Sequence, residues 1–143
     1  MTIAQTYNAP DFFAQGGNLN VASAVYNFDI TVGADAGTTV TINIQALQGG
    51  GDEIDTIATF FAFLSDDADG IGVSAAAPDG GVAAGTDGEI IAAVVADLVF
   101  LLQTEADGDL DLVLTETGTA TWYLVLIDAY GRMHVSDAIT FAA

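Results

Sequence analysis

A period-two pattern of side chains between Asp107 and Phe141 constrains this chain more than any other feature. In DGDLDLVLTETGTATWYLVLIDAYGRMHVSDAITF, Leu110, Leu112 and Leu114 alternate with Asp109, Asp111, Val113 and Thr115. Thr117 and Gly118 then turn the chain, and Trp122, Leu124 and Leu126 alternate with Tyr123, Val125 and Ile127. A period of two is the pleat of a strand that buries one face. The stretch therefore predicts three strands joined by two polar turns, the second at Ala129-Tyr130-Gly131, with Trp122 pointing into a core.

The same period recurs upstream. In VYNFDITV, Tyr26, Phe28, Ile30 and Val32 fall on one face and Asn27, Asp29 and Thr31 on the other; TTVTINIQAL repeats the pattern with Val40, Ile42, Ile44 and Ala46 inward. IATFFAFLS is different, because Phe61 and Phe63 share one parity while Phe60, Ala62 and Leu64 occupy the other. A strand apolar on both parities is expected to be covered on both faces, by a loop, an N-terminal arm or another subunit. Residues 65 to 88 are rich in Gly, Asp and Ala and read as a long irregular connection with one or two short strands at most. EIIAAVVADLVFLLQT is expected to be two short strands broken near Ala96 and Asp97, since its Ile, Val and Phe content outweighs the helical preference of Ala and Glu.

Seven or eight short strands, with no long amphipathic helix between them, predict an all-β fold, an antiparallel β-sandwich of Ig-like or jelly-roll-like kind. The domain spans residues 25–143. Residues 1–24 lack periodicity and contain Pro10 and Gly16-Gly17, so they read as an irregular N-terminal arm. Phe12 and Phe13 are adjacent within it and are expected to plug either into this domain or into a partner.

Charge and missing residue types remove several function classes. The chain of 143 residues carries 20 Asp plus Glu against the single cation Arg132, a formal net charge of -19. Phosphate backbones and anionic membranes would be repelled, so neither nucleic acid nor membrane is an expected partner. The acid is expected to form a solvated shell that keeps an otherwise hydrophobic protein in solution. Cysteine is absent, which excludes disulfides, thiolate metal sites and cysteine nucleophiles. No signal-peptide pattern opens the sequence and no run of about 18 apolar residues occurs, so a soluble protein made inside a cell is expected.

No catalytic constellation stands out. His134 is the sole histidine and cannot anchor a zinc site alone; Ser136 or Ser65 could join it only in a triad without a nucleophile-elbow motif. Asp107, Asp109 and Asp111 form a D-x-D-x-D run, and Asp66, Asp67 and Asp69 a second cluster, yet alternation explains Asp109 and Asp111 as outward groups without a cation. No cofactor is expected, and an enzyme is the weakest reading.

Two segments, PDGGVAAGTDG at residues 78–88 and LLQTEADGDLDLVLTETGTATWYLVLIDAYGRMHVSDAITFA at residues 101–142, resemble small β-sandwich proteins among the structural genes of tailed bacteriophages. The likeness lies in YLVL, the Gly131-Arg132 turn and the terminal S-x-A-I-T-F-A. It implies a virion component made in the host cytoplasm, non-enzymatic and assembled by contacts. A capsid decoration or cement protein, a homo-oligomer and foremost a trimer bound to the major capsid protein at the outer capsid surface, is the first expectation. A tail or head-fibre component, or a calcium- or carbohydrate-binding module, is the alternative. Phe12, Phe13, Phe61 and Phe63 are the candidate interface residues.

Overall fold

The alternating segments become strands, and their apolar parities meet in one core. A computed structural model of the protein describes residue 25 and residues 27–143, and among these there is no helix. In chain order the strands are β1 (Asn27–Val32), β2 (Thr39–Leu47), β3 (Thr59–Ser65), β4 (Val82–Ala84), β5 (Glu89–Val95), β6 (Val99–Gln103), β7 (Asp109–Thr115), β8 (Ala120–Ile127), β9 (Met133–Val135) and β10 (Ile139–Phe141). They pair as two antiparallel sheets in a sandwich-like arrangement. One sheet has the order β1-β2-β7-β4; the other runs β10-β8-β3-β6-β5, with β9 following β10's edge along β8. Residues 1–24, with Phe12 and Phe13, and Tyr26 lie outside the described residues.

Register ties the two halves of the sequence together. Val40 faces Leu114, Ile42 faces Leu112 and Ile44 faces Leu110 across β2 and β7, and every one of these six side chains is buried. Phe60, Ala62 and Leu64 of β3 meet them from the opposite sheet together with Phe100, Leu102, Trp122, Leu124, Leu126 and Phe141. Phe28 of β1 bridges the layers, its ring 4.6 Å from Phe60. Removing each large aliphatic side chain from water contributes about 2 kcal/mol, so this lattice of leucine, isoleucine and phenylalanine is what drives the sheets together.

Three details depart from expectation, each for a local reason. The last expected strand is split into β9 and β10, because Ser136 fastens to Leu124 between them. Its amide donates to the Leu124 carbonyl at 2.9 Å, and its Oγ accepts from the Leu124 amide at 2.9 Å while donating to the Asp137 carbonyl. The run from Glu89 breaks at Ala96-Asp97 as expected, with Asp97 in the left-handed region at φ 58. Asp97 Oδ1 accepts from the Val82 amide at 2.8 Å and so ties this turn to β4 of the other sheet. Finally, β3 is not covered on both faces: Phe61 is 51% exposed.

The partial cover over β3 is the connection between β3 and β4. Asp66 accepts from Ser74 Oγ at 2.7 Å, the Ser74 amide returns to the Leu64 carbonyl at 2.8 Å, and Trp122 Nε1 donates to the Ala76 carbonyl at 3.0 Å. These bonds fold residues 66–76 over one end of the six-stranded sheet. Gly70 sits so close there that a Cβ would stand 2.9 Å from methyls of both Val125 and Val135. Val125, an outward residue by parity, is consequently buried. The connection reaches no farther, which leaves Phe61 in the open.

Candidate functional site

The two sheets present opposite chemistries to the outside. Along the four-stranded sheet the outward rows are Asp29-Gln45-Asp109, Thr31-Asn43-Asp111 and Thr41-Val113-Ala83. Polar and acidic side chains are what a strand face requires to remain in water. Along the six-stranded sheet the directly opposed residues give one row of Met133, Ile127, Phe61, Leu101 and Ala92, and a second of Val135, Val125, Phe63, Val99 and Val95. Neither row contains a polar side chain.

Register irregularities in β5 enlarge this apolar face. The ladder shifts between Ile90 and Ala92 and again between Ala93 and Val95, so Ile91 and Val94 are inserted opposite a partner strand that has no extra residue. Bulged residues turn toward the surface and twist the strand locally. Ile91 is 44% exposed and Val94 59%. With Phe61, Val95 and Met133 also exposed, the face spans five strands, roughly 20 Å at the usual strand spacing. Contiguous apolar surface on an acid-rich protein is the candidate site of this structure. Its rim is polar on one side, where Gln103 Nε2 donates to Glu89, and is closed on the other by the connection carrying Asp66, Asp67 and Asp69.

One end of the first row is held by the turn between β8 and β9. The Asp128 carboxylate is fully buried and accepts four bonds: the Tyr130 amide at 2.8 Å and the Arg132 amide at 3.0 Å on Oδ1, and Arg132 Nε at 2.8 Å and His134 Nε2 at 2.9 Å on Oδ2. Burial pushes its carboxyl up, but the bonds from His134, the two amides and Arg132 outweigh it and hold the carboxyl at about 2. The lone cation and the lone histidine thus converge on one acid, and Met133 between them is delivered to the edge of the apolar face. Arg132 is an ion-pair partner here, and also lies over the Tyr130 ring at 5.5 Å.

The catalytic alternatives do not assemble. His134 reaches Asp128 and its ring packs edge-on against Phe28 at 5.1 Å. Ser136 is instead buried and committed to Leu124 and Asp137, while Ser65 Oγ bonds the Ile71 carbonyl and accepts from the Asp67 amide. The D-x-D-x-D run is also rearranged. Asp107 is exposed and caps the Asp109 amide, whereas Asp87, from the loop after β4, joins Asp109 and Asp111 with carboxylate oxygens within 4.8 Å of one another. Chain topology causes this: the Asp111 amide donates to the Asp87 carbonyl at 2.9 Å, so the loop lies against β7.

Protein donors reach all three of these acids, two of them at short range. Asn43 Nδ2 bonds both Asp109 and Asp111 at 2.9 Å, and Thr86 Oγ1 bonds Asp111 at 2.9 Å. Asp87 has only a long bond from Thr86 Oγ1 at 3.4 Å, which is outweighed: partial desolvation, then Asp111, Asp109 and Glu105, push its carboxyl up. A carboxyl raised on folding costs stability while it is ionised, and the cost disappears as pH falls through its folded pKa. Asp87→Asn is therefore expected to raise the melting temperature at neutral pH and low salt. The gain should shrink at 1 M salt, where surface charges are screened; calorimetry at the two ionic strengths checks it, and an equal gain at both would refute the charge explanation.

Of the candidate interface residues, Phe61 and Phe63 lie side by side on the apolar face, and Phe12 and Phe13 fall outside the described residues. Sequence reading missed Leu101, Ile127, Met133 and the inserted Ile91 and Val94 as members of the same surface. The signal was available for Ile127, whose parity matches Tyr123 and Val125; for β5 the bulges hide it. Comparison with known protein families, with curated proteins and with solved structures finds no match.

Proposed function

We propose that this protein is a non-enzymatic assembly module that docks on a partner through the outward face of its six-stranded sheet. In the specific form implied by the resemblance to phage structural proteins, it is a capsid decoration or cement protein. It would sit on the major capsid protein as a homo-oligomer, foremost a trimer, at the outer surface of the virion. The observation that carries the reading is the pair of uninterrupted apolar rows centred on Phe61, set against an opposite face of Asp29, Asp109 and Asp111. Docking by the first face leaves the acidic face turned to solvent, and it needs contact area without any reacting group.

Phe61→Asp tests the docking face. Phe61 is half exposed, so the substitution should leave the melting temperature within a few degrees of the parent. A charge placed at the centre of a desolvated contact should weaken binding to purified particles at least tenfold, by about 1.4 kcal/mol or more. Cosedimentation measures this. Unchanged binding of the folded variant would overturn the face as the docking surface. Absence of the protein from purified particles would overturn the virion assignment, and cross-links to tail proteins alone would replace decoration with a tail or fibre role.

A further inference from the structure

We infer that Asp87-Gly88, in the loop between β4 and β5, is a site of spontaneous main-chain modification, at which the Gly88 amide attacks the Asp87 side chain and isoaspartate results.

The chain contains four Asp-Gly pairs: Asp69-Gly70, Asp79-Gly80, Asp87-Gly88 and Asp107-Gly108. Such a pair is prone to cyclise, because glycine adds no side chain to hinder the approach of its own nitrogen. The fold disarms three of them. The Gly70 amide donates to the Asp67 carbonyl at 2.8 Å, the Gly80 amide to the Thr115 carbonyl at 2.9 Å and the Gly108 amide to the Glu105 carbonyl at 3.0 Å. A nitrogen held in this way must give up its bond before it can attack. Gly88 differs: its amide donates to the Glu105 carboxylate at 3.4 Å, a long, weak bond whose acceptor is a base.

The chemistry balances within the loop. Glu105 takes the Gly88 amide proton as the nitrogen bonds to Asp87 Cγ; the Cγ–OH bond breaks, and the hydroxyl leaves with that proton as water. The five-membered imide then takes water back at either carbonyl, and opening at the main-chain carbonyl routes the backbone through the side chain of Asp87. A neutral carboxyl is the form that can lose its hydroxyl. Partial desolvation, then Asp111, Asp109 and Glu105, favour that form at Asp87, whereas bonds from Thr117 disfavour it at Asp79. Water has access through a cleft of about 190 Å³ walled by Gly88, Gln103, Thr104 and Glu105.

The fold also requires the glycine of this pair. Gly88 has φ 74, and a Cβ there would overlap Leu110 Cδ1 and stand 2.7 Å from the Gln103 carbonyl oxygen. Isoaspartate lengthens the main chain by one methylene beside the Asp87 carbonyl, which accepts the Asp111 amide at 2.9 Å. The modified loop therefore parts from β7.

Ageing the full-length protein at physiological temperature and neutral pH tests this. Digestion with a protease that cuts before aspartate but not before isoaspartate, followed by mass spectrometry, follows each pair separately. In the folded chain Asp87 should convert at least about tenfold faster than Asp69, Asp79 and Asp107, and in strong denaturant the four rates should converge. Glu105→Gln, in protein that melts like the parent, should slow the change at Asp87 about tenfold and leave the other three pairs as they were. Equal rates at the four pairs of the folded protein, or a faster pair elsewhere, would overturn the inference. A preference for Asp87 that persists in denaturant would overturn it too, by tracing the reactivity to local sequence, and so would a Glu105→Gln variant that ages like the parent. None of these outcomes depends on particle binding, so the docking reading stands or falls separately on Phe61→Asp.

Discussion

Replacing Asp128 with alanine is expected to destabilise the protein by about 3 kcal/mol, because the buried carboxylate satisfies four donors that would lose their acceptor together. The Tyr130 and Arg132 amides, Arg132 Nε and His134 Nε2 all end on this one side chain. Asp128→Asn keeps an oxygen for the two amides and gives up the charge, so it should cost about half as much. Denaturant melts of the two variants check the order. Equal losses would mean that the charge contributes nothing beyond the turn.

The same carboxyl gives a pH signature. Held at about 2 in the fold against an ordinary value of 3.8, Asp128 contributes stability that is complete above roughly pH 4 and lost as pH falls through 2, about 2 kcal/mol in total. Parent and Asp128→Asn stabilities should therefore converge on acidification between those values. The consequence for function is local: with the turn loosened, β9 would leave β8 and take Met133 away from the apolar face. Hydrogen exchange in β9 should rise first.

Gly108→Ala is expected to cost at least 3 kcal/mol, and Gly131→Ala about 1 kcal/mol, though both glycines have left-handed backbones at φ 82 and φ 78. Around Gly131 a Cβ would meet nothing within 4 Å, which leaves only the backbone penalty. At Gly108 a Cβ would stand 2.4 Å from Ile54 Cγ2, 2.9 Å from Gln45 Nε2 and 3.0 Å from the Ile54 carbonyl. Ile54 is itself buried, and the Gly108 carbonyl accepts the Ala46 amide of β2, so neither side can give way without moving the sheet. Thermal melts of both variants separate conformational strain from crowding. A similar loss at the two positions would show that the space at Gly108 is not tight.

Alternation made β1, β2 and β7 legible because each strand there buries one parity and leaves the other at least partly in water, and β8 follows the same pattern except at Val125, which the connection after β3 buries. It failed where a different force sets the pattern. In β5 the inserted Ile91 and Val94 erase the parity, so the strand there is legible from its Ile, Val and Phe content and its facing is not. The break between β9 and β10 depends on Ser136 reaching Leu124, a partner twelve residues away that no local pattern reveals. Asp87 joins Asp109 and Asp111 only because the loop after β4 lies on β7. Asp128 leaves no trace in the hydrophobic pattern, but an acid three residues before Gly131 is a turn signature that could have marked it. For Phe61 and Phe63 the sequence tells that both parities are apolar; it does not tell that the connection after β3 stops at Val125 and leaves Phe61 bare and Phe63 partly covered.

The double bulge of β5 and the kink at Ser136 have a bearing on how copies can associate. A straight, unbroken margin on a sheet can recruit further strands end on end without limit, which is the route to fibrils. Here both margins of the six-stranded sheet are out of register with any straight newcomer, on one side at Ile91 and Val94 and on the other at Ser136. Association through this sheet is therefore expected across its apolar broad side, a contact that saturates once occupied. Concentrated preparations should accordingly stop at discrete particles and give no cross-β diffraction.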